Sequence, residues 1–173
     1  PHIIVGSSGR ILDLIKKIII QTIEIIKHLH SVNIIYRDIK PENILLDKDY
    51  NVKLCDYGWA TYITPGEYLR TYCGTPEYVA PELLKRQPYN QKVDVWGIGV
   101  LIFELITGYA HFSSNFNEDR FNHIKSSNIN WPENLESDVK DLISKILKLD
   151  PNERLSLNEI EKHFWLIQAY ISK

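Results

Sequence analysis

The stretch Ile34–Gly58, IIYRDIKPENILLDKDYNVKLCDYG, decides how the chain is read. Asp38 is followed two residues later by Lys40 and five residues later by Asn43. An apolar run, Ile44-Leu45-Leu46, then leads through a polar turn, Asp47–Asn51, into a second short run, Val52-Lys53-Leu54. Asp56 follows that run, with Tyr57 and Gly58 behind it. Two short runs around a turn rich in Asp and Asn predict a hairpin. The hairpin would bring its ends together, so that Asp38, Asn43 and Asp56 line one cleft. Two carboxylates and a carboxamide there suit a hard cation such as Mg²⁺, which takes oxygen ligands and shares them with substrate phosphates. Asp38 with Lys40 sets a proton acceptor beside a fixed positive charge. That pairing suits a hydroxyl attacking a phosphorus atom whose oxygens gain charge.

Composition bounds the rest. The 173 residues amount to about one domain, with 44% hydrophobic and 24% charged residues, the balance of a globular fold. A net charge of −2 gives no reason to expect a nucleic-acid partner. Cys55 and Cys73 make no disulfide framework, so a reducing intracellular setting is expected. The chain starts at Pro1 and contains no methionine, which reads as a piece of something longer. None of His2, His28, His30, His111, His123 or His163 falls into a metal-ligand spacing.

The order of elements is mainly helical. Residues 1–10 read as a loop after a short strand at Ile3–Val5. Ile11–His30 has apolar residues at Ile11, Ile15, Ile18, Ile19, Ile23, Ile26 and Leu29, the period of an amphipathic helix. Its interrupting charges argue against a membrane span. Ala60–Tyr72 is polar, with a turn at Pro65-Gly66. Asn90–Gly108 reads as a buried helix with Gly108 as its C-cap, and its uncharged part, Val95–Phe103, is too short to cross a membrane. A short helix is expected near Asn117–Ser126 and an amphipathic one over Leu135–Leu149. Asp150-Pro151 breaks the chain, and Ser156 with Glu159 forms a capping box for a last helix, Leu157–Trp165. The fold class is thus mainly α with a small β-hairpin region.

The stretch around Asp38 resembles the catalytic loop and magnesium loop of the protein kinases, written H-R-D-x-K-x-x-N and D-F-G. Tyr36 and Tyr57 stand where His and Phe are commoner. Both are aromatic exchanges at positions that pack rather than react. The resemblance implies Asp38 as catalytic base, Lys40 on the γ-phosphate of ATP, and Asn43 and Asp56 as Mg²⁺ ligands. It sets Cys55 on the floor of the nucleotide cleft. Lys40 also implies serine and threonine rather than tyrosine acceptors. CGTPEYVAPELL, Cys73–Leu84, is similar to the end of a kinase activation segment, with Thr75 at the substrate site. Asp94, Trp96 and Gly99 resemble the central buried helix of a kinase C-terminal lobe, where Asp94 would brace the catalytic loop. Arg154, in LDPNERLSL, would pair with Glu82.

The resemblance covers Leu14–Trp165 and implies a C-terminal lobe over residues 11–167, a loop or hinge remnant at 1–10 and a tail at 168–173. No G-x-G-x-x-G and no Val-Ala-Ile-Lys-like lysine accompany it, so the N-terminal lobe is not in this sequence, and the 173 residues alone should transfer little phosphate. Arg37 before Asp38 implies control by phosphorylation, with Thr71 as the acceptor. Asp56–Ala60 and Arg70–Thr75 are most similar to Aurora-type kinases, with polo-like, AGC-type and calmodulin-dependent types as rivals. The expectation is an ATP- and Mg²⁺-dependent kinase acting on protein substrates, with scope for an activating protein partner. It has no nucleic-acid or membrane partner and works in the cytoplasm or nucleus, at the spindle if Aurora-like. The alternative is a truncated kinase or pseudokinase acting as a binding module.

Overall fold

The apolar stripe of the first long segment coils as its period dictates. A computed structural model describes residues 9–109, 129 and 131–171, with side chains to residue 167. The expected strand at Ile3–Val5, the helix near Asn117–Ser126, and His2, His111 and His123 lie outside the described residues. Helix α1, Gly9–Ser31, buries Ile15, Ile18, Ile19, Ile23, Ile26 and Leu29. It starts two residues before the expected Ile11, so Gly9 and Arg10 are helical rather than loop.

Strand β1, Ile34–Ile35, leaves α1 through a turn at Asn33, whose φ is +60°. The predicted hairpin forms from β2, Ile44–Leu46, and β3, Val52–Leu54. Its antiparallel register pairs Ile44 with Leu54 and Leu46 with Val52. The turn closes on Asp47, whose carboxylate accepts from the amides of Asp49 and Asn51, each at 2.9 Å. A second ribbon pairs β1 with β4, Thr61–Tyr62. It lies inside the segment read as a polar loop, and strands of two residues leave no periodicity to read.

Helix α2, Pro81–Leu84, is a single turn, and α3, Lys92–Thr107, is the centre of the fold. Every residue from Val93 to Phe103 is buried, as expected for a helix without a polar face. Gly108 ends it in the left-handed region at φ +82°. On α3, α1 packs from one side and α4, Ser137–Ile146, from another. The α3–α4 approach is close at Gly99. A Cβ there would stand 2.6 Å from Ile146 Cγ2 and 2.7 Å from Leu147 Cδ2.

The last expected helix, Leu157–Trp165, is two helices. Helix α5, Leu157–Glu161, carries the capping box of Ser156 and Glu159. The chain then breaks, and α6, Phe164–Ile171, begins anew. At the break His163 faces both ways. Its Nδ1 accepts from the Trp165 amide at 3.4 Å, and its Nε2 lies 3.0 Å from Asp141. Trp165 is fully buried, with the Lys16 ammonium 5.0 Å above its ring. No helix among the described residues is long and apolar enough to cross a membrane.

Gly99→Ala forces Ile146 and Leu147 aside in a packed core. We expect a loss of about 1–3 kcal/mol, read from urea unfolding. An unchanged midpoint would mean that the α3–α4 contact opens without cost.

Candidate active site

The backbone between β1 and β2 has few ladder bonds of its own, and α3 supplies what it lacks. Asp94, in the first turn of α3 and 1% exposed, accepts from the Arg37 amide at 2.7 Å and the Tyr36 amide at 2.9 Å. His30 Nε2 lies 2.7 Å from the same carboxylate. This grip holds Arg37 at φ +69°, a left-handed conformation unfavourable for a residue with a Cβ. The opposing chain has to be glycine there. A Cβ on Gly74, itself at φ +98°, would meet the Arg37 carbonyl oxygen at 2.8 Å.

Asp38 follows directly and is 2% exposed. Its Oδ1 accepts from the Thr75 hydroxyl at 2.6 Å and the Thr75 amide at 3.1 Å. Its Oδ2 accepts from Asn43 Nδ2 at 2.8 Å and lies 3.0 Å from the Lys40 ammonium. Lys40 also donates to the Thr75 hydroxyl oxygen at 2.7 Å, closing a ring of three side chains. Burial pushes the Asp38 carboxyl up, but the bonds from Thr75, Lys40 and Asn43 together outweigh it and hold it below the ordinary carboxylate range. Asp38 is therefore an ionised, aimed carboxylate at neutral pH.

Asn43 ends the 3₁₀ turn Pro41–Asn43, and its nitrogen also donates to the Asp38 carbonyl at 2.9 Å. The Asn43 backbone carbonyl oxygen receives the Cys55 amide at 3.0 Å and the Cys55 thiol at 3.4 Å. These bonds carry the β3 end to the catalytic loop, as the hairpin reading required. Asp56 stands next, exposed and at φ +55°, with one bond to its carboxylate, from the Gly58 amide at 3.1 Å. The structure thus joins Asp38, Lys40, Asn43 and Thr75 directly, and joins Asp56 to them through the backbone. No cluster of three His, Cys, Asp or Glu side chains suited to a metal occurs among the described residues. A carboxamide with its nitrogen turned to Asp38, plus an exposed carboxylate, still fits Mg²⁺, which keeps waters and takes one or two protein ligands. Tyr36 and Tyr57 meet edge to face at 5.4 Å, and the Tyr36 hydroxyl donates to the Cys55 carbonyl.

The segment after Asp56 is fastened at its far end. Glu82, in α2, takes both terminal nitrogens of Arg154 at 2.7 Å each. Arg154 is buried and lies 5.1 Å over the Trp96 ring, and it donates to the carbonyls of Lys148 and Lys92 at 2.9 and 3.0 Å. Asp94 thus meets the Tyr36 and Arg37 amides, and Arg154 meets Glu82. Residues 9–166 match the protein kinase domain family.

The chain belongs to the protein kinases. Aurora kinase of Candida glabrata is 40% identical over 150 residues, covering 87% of this chain and 42% of that protein. Aurora kinase C of Mus musculus is 41% identical over 139 residues, covering 80% and 50%. The cAMP-dependent protein kinase type 3 of Saccharomyces cerevisiae is 40% identical over 153 residues, covering 86% and 38%. This kinase chain is Aurora-like, and it spans half or less of the length of these relatives.

Some contacts were not read from the sequence. Arg37 Nε donates to the Trp59 carbonyl and its Nη1 to the Tyr89 hydroxyl, both at 2.7 Å. Tyr89 in turn donates to the Thr71 carbonyl at 2.8 Å. Burial pushes the Tyr89 hydroxyl up to about 12, so it remains a donor. Thr71 itself is exposed. Tyr89 sits in LKRQPYN, a stretch with no motif, and no signal marked it. His30 ends an amphipathic helix and gave no signal beyond its proximity to Tyr36.

Asp38 gives the pH dependence a definite sign. A carboxylate with a depressed folded pKa contributes stability fully above its ordinary pKa and loses it as pH falls through the depressed value. Thr75→Val removes the shortest bond to Asp38 and lets its folded pKa rise toward the ordinary value, so the variant should lose less stability on acidification, with the loss complete at a higher pH. Urea unfolding measured at stepped acid pH checks this. Superimposed acid limbs would show that Lys40 and Asn43 suffice.

Proposed function

We propose that this chain is the C-terminal lobe, residues 11–167, of an ATP-dependent protein serine/threonine kinase. The reading rests on one observation above the others: the Asp38 carboxylate is ionised and aimed by Thr75, Lys40 and Asn43 at once. Asp38 would accept the proton of an acceptor hydroxyl as that oxygen attacks phosphorus. Lys40, with one face on Asp38 and the other on Thr75, would hold its ammonium against the phosphoryl oxygens that gain charge. Asn43 and Asp56 would hold Mg²⁺, which neutralises charge on the ATP phosphates. Cys55, pinned to Asn43, would form the cleft floor beneath them.

Acceptor selection has support beside this ring. The Tyr78 hydroxyl donates to Glu104, and burial, then that bond, push its pKa far up, with Glu42 and Glu77 adding negative potential. Carboxylates at Glu42, Glu77 and Glu104 near the Tyr78 hydroxyl would favour acceptors flanked by Lys or Arg. Regulation has support on the other side. Arg37 reaches Thr71 through the Tyr89 hydroxyl, so a phosphate on Thr71 would add charge within reach of a guanidinium already ordered at the base of the segment. The setting proposed is the cytoplasm or nucleus.

Transfer of the ATP γ-phosphate to a serine/threonine protein substrate, by the whole protein, tests the reading. Asp38→Asn and Asp56→Ala should each lower kcat by about 10²-fold or more. The 173 residues alone, without a glycine-rich loop and its lysine, should transfer little. Activity in the parent that survives both substitutions would remove Asp38 and Asp56 from these roles. Total inactivity of the parent would favour a binding module.

Thr71→Ala should reduce the activity of the phosphorylated enzyme about tenfold. Equal rates for the variant and the phosphorylated parent would exclude Thr71 as the switch.

A further inference from the structure

A pocket of about 340 Å³ opens away from the active site, between the end of α1, the first turn of α3 and the start of α5. Lys27, His30, Lys92, Val95 and Leu157 are among its walls. We propose that this pocket binds a phosphate group, with Lys92 as its principal cation. The inference does not depend on the catalytic reading.

Lys92 is the unusual wall. Among the described residues its ammonium makes no ion pair, and its one bond is to the Arg154 carbonyl oxygen at 2.8 Å. An ammonium has three donors, so two are left for other partners. The neighbouring Arg154 charge is already matched by Glu82, so that carboxylate is not free for Lys92. Burial, then repulsion from Arg154, push the Lys92 pKa down, with Glu159 opposing. An anion entering the pocket relieves both costs.

The other groups set the charge balance. Lys27 brings a second ammonium to the wall but holds Glu161 at 2.7 Å. Both side chains of that pair are about one-third exposed, so it is weak enough to share. One oxygen of Glu159, Oε2, is taken up by Ser156, accepting from its amide at 2.7 Å and its hydroxyl at 2.6 Å. His30 lines the pocket with its Nε2 already on Asp94. Gln91 and Asn158 add amide donors. Two ammonium groups and amide donors suit a dianion with several acceptor oxygens better than a single carboxylate. The volume exceeds one phosphate, and Val95, Leu157 and the lysine stems offer apolar surface for whatever carries it. Two sources share this chemistry: a phosphorylated side chain on a peptide, or free inorganic phosphate.

Calorimetric titration of the whole protein with inorganic phosphate, a phosphoserine peptide and the same peptide unphosphorylated tests the site. Saturable binding of phosphate or phosphopeptide is expected, weakened about tenfold or more in Lys92→Gln. Glu161→Gln frees Lys27 from its competitor and should tighten binding severalfold, a gain that misfolding cannot produce. Phosphopeptide binding tenfold tighter than phosphate identifies a peptide-borne group, and equal affinities identify the free anion. The proposal is overturned by absence of saturable binding, by equal affinity for the unphosphorylated peptide, or by binding that Lys40→Ala abolishes and Lys92→Gln leaves intact.

Discussion

The candidate active site depends on one buried carboxylate whose oxygens are turned to backbone amides. Asp94 sits at the start of α3 with both oxygens turned to backbone amides, those of Tyr36 and Arg37. A charge 1% exposed is costly unless its hydrogen bonds are made. Here the amides of Tyr36 and Arg37, together with His30, occupy it. The exchange fixes the loop as firmly as the helix. Asp38 comes one residue after the second of these amides, so its position is inherited from α3 rather than from the short strands beside it.

A second anchor makes the far wall rigid. Glu82 and Arg154 pair through two bonds of 2.7 Å, in a site where Arg154 is 2% exposed. Losing one partner of such a pair strands the other, a cost on the order of 3–5 kcal/mol. The pair matters less as a source of stability than as a fastening. It ties α2 to the end of α4 and to Lys92 at the head of α3. Thr75, which meets Asp38, lies seven residues before Glu82. Asp38 and the Thr75 that aims it are therefore both referred to the same helix, one through Asp94 and one through Arg154.

How much of this could be read from the sequence follows from where the information sits. The stripe of α1, the polarity-free run of α3, the Asp47 turn and the Ser156 capping box are local patterns, and each appears as read. Asp38, Asn43 and Asp56 were grouped by the hairpin and their chemistry, with roles from the resemblance to a known family, and Glu82, Asp94 and Arg154 were named from that resemblance alone. Their contacts span up to 72 residues, which no periodicity reports. What escaped was contact without pattern. The β1–β4 ribbon is too short to alternate. At the break between α5 and α6, His163 reaches Asp141 across 22 residues. Tyr89 joins Arg37 to the Thr71 carbonyl only because the isolated bridge Leu69–Tyr89 brings two loop segments together.

Strain in the backbone completes the same logic. Arg37 and Asp56 both occupy left-handed conformations that cost a side-chain-bearing residue on the order of 1–3 kcal/mol. Such conformations persist only where the surroundings over-determine them. Arg37 is held by Asp94 at its amide, Trp59 and Tyr89 at its guanidinium, and the bare backbone of Gly74 against its carbonyl. Among the described residues, the Asp56 carboxylate accepts from the Gly58 amide, and the neighbouring Cys55 is anchored to Asn43. The two carboxylates of the site are therefore supported unequally. Asp38 is fixed by the fold before any ligand arrives. Asp56 is exposed, with one bond on its carboxylate, and its orientation is the part of the site most open to change by what binds there.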